Sequence, residues 1–250
     1  QAAPEIAAKI PEADIVAGTK DRRKLPELVR SVIAERRHIV AIDQYGAHDE
    51  FELTRFEGAQ DKTRAFVKIQ DGCNQFCSYC IIPYARGRLR SKPIDALKDE
   101  ISRLAQSGRR EIVLVGINLA FYGVEFRLRL ADAVEVCCKT EGIERVRLGS
   151  LEPEMLSDED LRRLAALPEL CPQFHLSLQS GSENTLKAMN RKYTAADYFT
   201  LTQKIRAAFP NASFTTDIMV GFPTETEEDF AESMRFAEKI GFAKIHVFQY

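Results

Sequence analysis

"AFVKIQDGCNQFCSYCIIPYARGRLRSKPIDALKDEISRLAQSGRREIVLVG", residues 65–116, holds one complete strand, loop, helix and strand. "AFVKI" (65–69) reads as a short apolar strand. "PIDALKDEISRLAQSG" (93–108) opens on Pro and closes on Gly, which are helix start and stop signals. "EIVLVG" (111–116) returns to a short apolar run of strand length. The unit then recurs down the chain. "LRLADAVEVCCKT" (128–140), "RVRLGSLE" (145–152), "SDEDLRRLAAL" (157–167) and "FHLSLQ" (174–179) alternate helix and strand. "SENTLKAMN", "TAADYFTLTQKIRAAF" and "SFTTDIMVG" (213–221) continue the pattern. A final helix follows, in which Thr224 and Glu227 are expected to form a capping box and Phe230, Met234, Ala237 and Ile240 one apolar face. The strand "KIHVFQY" comes last. Six strands separated by helices predict an α/β fold with a parallel sheet, either a partial barrel or an open doubly wound sheet. In both, the loops at the C-terminal strand ends build the site.

Composition bounds the rest. With 250 residues, 45% apolar and 29% charged, the chain reads as a globular domain plus part of another. Its net charge of -2 gives no global pull on nucleic acid or membrane, so an anionic partner must meet a local patch. No run approaches the roughly 18 apolar residues of a membrane span, and the opening residues carry no leader pattern; a cytoplasmic location is expected.

Residues 1–45 fall outside the repeat. "PEIAAKIPEADIVAGTKDRRKLPELVRSVI" reads as helix, buried strand, loop and helix, an α/β remnant too short to bury a core alone. Polar residues 46–64 read as a linker, and 65–250 as the main domain. The chain is expected to be cut from a longer protein at the front, and at the back as well, because its last strand lacks a covering helix.

The first strand-end loop carries Cys73, Cys77 and Cys80 within eight residues, followed by Arg86, Arg88 and Arg90. Three thiols suit neither a disulfide framework, which needs pairs, nor a structural zinc site, which usually takes four ligands in two couples. They suit an iron–sulfur cluster held by three thiolates, with one iron open to another ligand. The bland alternative is a zinc site completed by His38, His48, His175 or His246. Cys137, Cys138 and Cys171 are scattered and read as buried small hydrophobes. Tyr84, Arg86, Arg88, Arg90 and Lys92 form a basic stretch able to meet RNA phosphate, or simply a solvated face.

The spacing CxxxCxxC, filled here as "CNQFCSYC" with an aromatic before the last Cys, resembles the signature of the radical S-adenosylmethionine superfamily. "CSYCIIPYARGRLRSKP", "LVGINLAFYG", "LSLQSGSENTLKAMNRKY" and "TTDIMVGFPTETEEDF" resemble the methylthiotransferase family within it, over most of residues 65–250. "RVRLGSLEPEML" is most similar to the branch acting on threonylcarbamoyladenosine beside the tRNA anticodon. The sister branches act on isopentenyladenosine in tRNA or on a ribosomal protein.

The resemblance implies a partial (β/α)6 barrel preceded by the C-terminal remnant of an α/β N-terminal domain. It implies a 4Fe-4S cluster on Cys73, Cys77 and Cys80, S-adenosylmethionine, a tRNA substrate and a reducing electron donor such as flavodoxin. Tyr79 would lie by the adenine and Gly116 by the methionine end. Ser150, Gln179, Arg191 and Asp217 match positions that touch ribose or carboxylate, each of Ser150, Gln179 and Asp217 being expected at a different strand end; Asn118 is a further candidate. A second cluster would belong to upstream cysteines that this chain does not contain. The rival readings are a single-cluster radical enzyme on another substrate and a non-catalytic iron–sulfur or zinc module.

Overall fold

The structure, a computed structural model, describes residues 3–20, 22–46, 49–53 and 63–250. Most of the 46–64 linker expectation lies outside the described residues. In the N-terminal part, helix α1 (Ala3–Lys9), strand β1 (Ile15–Ala17), helix α2 (Leu25–Glu35) and strand β2 (Ile39–Ala41) form a small unit. Its two strands pair in parallel, Ile15 with Ile39. None of its described side chains is fully buried, β1 included, which corrects the buried strand expected there. The cause is size, since two three-residue strands and one amphipathic helix offer too little surface to enclose a side chain.

The main body begins with β3 (Arg64–Lys68) and a two-residue β4 (Gln70–Asp71), then helix α3 (Ile82–Arg86) and β5 (Arg90–Ser91), which pairs antiparallel with β4. Helix α4 (Ile94–Gln106), β6 (Glu111–Val115), α5 (Leu130–Cys138), β7 (Arg145–Leu148) and β8 (Ser150–Leu151) follow. Then come α6 (Asp158–Ala165), β9 (Gln173–Leu176), α7 (Glu183–Ala188), α8 (Ala195–Ala208), β10 (Ser213–Val220), α9 (Glu227–Ile240) and β11 (Lys244–Gln249).

The long strands pair in parallel and in chain order: β3 with β6, β6 with β7, β8 with β9, β9 with β10, and β10 with β11. β7 and β8 are one strand path interrupted at Gly149, whose amide donates back to the Leu114 carbonyl at 2.8 Å. That interruption hands the sheet from one partner to the next. β3 and β11 are not paired among the described residues, so the sheet is an open arc, as expected of a partial barrel.

The period of two along each strand sorts side chains between the faces. Phe214, Thr216 and Ile218 of β10 are buried on the helical side, whereas Thr215 and Asp217 are only half-buried on the other. The core lies between the sheet and helices α4, α5, α6, α8 and α9, around Ile101, Leu114, Phe174, Tyr198 and Phe214. Fully burying each large side chain contributes about 1.5–3 kcal/mol. Cys137 and Cys138 are both buried because α5 is covered on two sides, while Cys171 is only half-buried.

Helix α9 starts two residues later than expected. Its cap is Thr226, which accepts from the Asp229 amide while Asp229 accepts from the Thr226 amide; Thr224 instead occupies a left-handed turn at φ 87°. Its buried side is Asp229, Ser233, Ala237 and Ile240. Phe230 and Met234 are instead exposed along a groove with Val247.

Candidate active site: the cysteine loop at the mouth of the arc

Gln70 organises the approach to the loop, and no sequence motif singles it out. It is fully buried; its Nε2 donates to the carbonyls of Asp71 (2.8 Å) and Gly72 (2.7 Å), and its Oε1 accepts from the Asn118 amide at 2.6 Å. A Cβ at Gly116 would lie 2.9 Å from Gln70 Cβ, so the turn after β6 closes only on glycine. Gly72 sits at φ 70° with the Arg88 carbonyl where a Cβ would be, at 2.0 Å. These two glycines let strand ends β4 and β6 meet the loop.

The loop carrying Cys73, Cys77 and Cys80 leaves β4 and enters α3. The Cys73 amide donates to Gly87 O, and the Cys80 amide to Cys77 O at 2.9 Å. Phe76 turns the chain at φ 52°, and its carbonyl accepts from Asn190 Nδ2 at 2.8 Å. Ser78 ties the loop to the end of α7 through the Met189 and Ala188 carbonyls. Thus the first strand-end loop is fastened to the fourth.

The side chains around the thiols are polar donors. Arg191 Nη1 lies 3.3 Å from Cys77 Sγ and 3.2 Å from Tyr79 Oη, and Asn118 Nδ2 lies 3.7 Å from Cys73 Sγ. The other face of the Arg191 guanidinium pairs with Glu152, and its side chain is 4% exposed. Burial pushes the Cys77 thiol up, and the Arg191 charge opposes that by favouring the thiolate. Burial raises the Tyr79 hydroxyl too, so the phenol stays protonated and can donate. Burial likewise raises Glu152, against the pull of Arg191. Asn118 Oδ1 is buried with no partner among the described residues.

Of the residues expected to meet a cofactor, Cys73, Cys77, Cys80, Tyr79, Asn118 and Arg191 are brought together, with Gly116 packed just behind on Gln70. Ser150 stands at the Gly149 break, bonded to Ser177 Oγ at 2.9 Å. Gln179 follows β9 at φ 68° and bridges to β10, its amide donating to Asp217 O at 2.8 Å. Asp217 is not at a strand end, because β10 runs on to Val220, and both its oxygens face imidazoles. Glu152 and Asp71 were missed; a lone acidic residue at a strand end carries no motif by itself.

The basic stretch is smaller than expected. Arg90 and Lys92 are buried; Arg90 pairs with Asp71 at 3.0 Å and stacks on Tyr45, and Lys92 pairs with Glu100. Tyr84 and Arg88 stay exposed, with Arg86 half-buried.

The donor set fits an iron–sulfur cluster better than a single ion. A tetrahedral zinc would draw its thiolates into close mutual contact. Among the described residues, the one set of three ligand atoms within 4.8 Å of one another is His175, Asp217 and His246, not the cysteines. Histidine completion of a zinc site is therefore not what the fold builds, although His48 lies outside the described residues. Thiols set apart on a glycine-flanked loop, with N–H donors aimed at two sulfurs, match a polynuclear centre whose irons each take one thiolate.

Comparison with known proteins agrees with that reading. Residues 67–237 match the Radical SAM superfamily model. The chain belongs to the radical SAM superfamily. Membership makes S-adenosylmethionine and a 4Fe-4S cluster its cofactors. The chain is 44% identical over 201 residues to the threonylcarbamoyladenosine tRNA methylthiotransferase MtaB of Chlamydia pneumoniae, covering 80% of this chain and 47% of that protein. It is 40% identical to the tRNA-2-methylthio-N(6)-dimethylallyladenosine synthase of Clostridium novyi, covering 98% of this chain and 54% of that one. The chain thus spans about half the length of these curated relatives.

Among solved structures, the radical S-adenosylmethionine methyltransferase TsrM of Kitasatospora setae superposes with a TM-score of 0.62 at 16% identity, covering 76% of this chain and 36% of that one. Coproporphyrinogen III oxidase HemN of Escherichia coli gives 0.56 at 17%, covering 77% and 45%. At such identities the likeness speaks for the superfamily fold alone.

Proposed function

We propose that the protein containing this chain adds a methylthio group to C2 of N6-threonylcarbamoyladenosine beside the tRNA anticodon. Residues 65–250 are its radical core and residues 1–45 the tail of the preceding domain. The observation that carries the reading is the three-thiol loop fastened between the first and fourth strand ends, in a chain whose curated relatives are tRNA methylthiotransferases. Both substrate branches occur among those relatives. "RVRLGSLEPEML" and the 44% identity to the Chlamydia pneumoniae enzyme favour the threonylcarbamoyl branch.

In this reading Cys73, Cys77 and Cys80 hold the cluster. Bound there with S-adenosylmethionine, it would supply a carbon-centred radical by one-electron cleavage of a carbon–sulfur bond. The chain's own groups orient and shield. Arg191 and Asn118 donate toward the thiolates of Cys77 and Cys73; Tyr79, Gly116, Ser150 and Gln179 line the cofactor's path. Asp217 is left out of this set because His175 and His246 engage both its oxygens. Tyr84 and Arg88, with half-buried Arg86 between them, offer the tRNA a small footprint, which needs supplementing elsewhere in the full protein. A reducing partner of flavodoxin type and a second cluster upstream complete the proposal.

The test is nucleoside mass spectrometry after incubating the full-length, cluster-loaded protein with two tRNAs, one bearing threonylcarbamoyladenosine and one isopentenyladenosine. The expected result is methylthio product on the first only. Product on the second alone transfers the assignment to the sister branch. No product on either, with 5′-deoxyadenosine still formed, overturns the tRNA reading.

A further inference from the structure

A second set of ligand-type side chains lies on the face of the sheet opposite the helices, on strands that carry none of the three cysteines, with His175 in register with Ser150. His175 of β9, Asp217 of β10 and His246 of β11 come from three adjacent, hydrogen-bonded strands. Asp217 is directly in register with His246, and His175 with Thr215, two residues earlier on β10. Pairing in register and the period of two place all four side chains on one face. The ligand atoms of the two histidines and the aspartate lie within 4.8 Å of one another. His175 Nε2 is 3.3 Å from Asp217 Oδ2, and His246 Nδ1 is 3.1 Å from Asp217 Oδ1. The two rings are stacked, with centroids 5.9 Å apart.

We propose that His175, Asp217 and His246 form a binding site for a divalent first-row transition-metal ion. Two imidazoles and one carboxylate are a donor set that suits iron(II), cobalt(II) or zinc and leaves coordination positions open. Three further observations support it. The ligands stand on paired strands rather than loops, so their spacing is held by the sheet. Thr215 Oγ1, itself receiving Gln173 Nε2 at 3.2 Å, lies 3.0 Å from His175 Nδ1. Such an outer hydrogen bond orients a metal-binding imidazole and leaves its other nitrogen to the ion. The side chains are 17%, 27% and 42% exposed, so an ion can reach them and an outside ligand can fill an open position.

The site differs in kind from the cysteine loop. Its nitrogen and oxygen donors converge on one point, whereas the three sulfurs do not, so the two can be loaded and read separately.

The experiment titrates Zn2+ into the anaerobic, cluster-loaded protein, followed by calorimetry, metal analysis after desalting, and zinc-edge X-ray absorption. The expected result is one retained zinc beyond the cluster iron, with nitrogen and oxygen neighbours only. His246→Ala and Asp217→Asn should each weaken binding by well over tenfold, and Thr215→Val by about tenfold. Iron content and circular dichroism should stay at the parent's values in all three. His38→Ala, remote on β2's flank, should change nothing. No retained zinc, retention undiminished in the variants, or sulfur in the zinc shell overturns the proposal and leaves a hydrogen-bonded His–Asp–His ladder.

Discussion

Arg191 does two things at once, and they separate on substitution. Its N–H donates to the Cys77 sulfur, and its charge neutralises buried Glu152. N–H donors to a cluster thiolate favour the reduced state, so Arg191→Met should shift the cluster's midpoint potential to more negative values, read by redox titration of its spectrum. The same change strands Glu152, and breaking one side of a buried pair costs about 3–5 kcal/mol. Arg191→Met with Glu152→Gln should recover most of that stability in chemical unfolding, while the potential stays low. If the double variant recovers both, the arginine acts on the cluster only through the fold. The motif placed Arg191 near the cofactor; its partner Glu152 was invisible, because the two are 39 residues apart and only the barrel joins them.

At the scale of an element, the start of α9 shows how close a sequence reading comes to a helix cap and why it slips. "TETEED" (224–229) offers two threonines, each followed three residues later by an acid, so Thr224 with Glu227 and Thr226 with Asp229 are equally plausible pairs. The fold selects the second because Asp229 is also held by Ser182 Oγ at 2.7 Å and Asn184 Nδ2 at 3.2 Å, beside the start of α7. Those hydrogen bonds draw the Asp229 carboxyl well below the usual range, so the anion persists in mild acid. Thr226→Ala should therefore lower stability by about 1 kcal/mol in urea unfolding. Thr224, at positive φ, should behave oppositely, with Thr224→Gly neutral or stabilising by up to about 1 kcal/mol. Equal losses at both positions would contradict the observed cap.

For the whole molecule, the six free cysteines divide into three on the loop, two in the core and the half-buried Cys171. Burial raises the Cys137 thiol and pushes Cys138 up to about 12, so neither offers a thiolate near neutral pH. Anaerobic reconstitution with iron and sulfide should load about four irons per chain, on the loop alone. Cys77→Ala should abolish the brown chromophore, whereas Cys138→Ala should keep it. An iron count near eight would mean that the interior cysteines move to bind, against their burial in α5.

What the sequence determined by itself was periodic or contiguous. Alternating strand and helix signals are local, and they sufficed for a parallel α/β sheet in chain order. Three cysteines inside eight residues are close whatever the fold, so the loop is legible in the chain's primary order alone. Tertiary structure decided everything that depends on distant segments meeting. It spent Arg90 and Lys92 on Asp71 and Glu100 instead of leaving them in solvent. It put Gln70 behind Gly116 and Glu152 under Arg191. It also gathered His175, Asp217 and His246, which are 42 and 29 residues apart, onto one face. Strand register sets that last meeting, and register arises from the packing of a whole sheet against its helices rather than from any short stretch of chain.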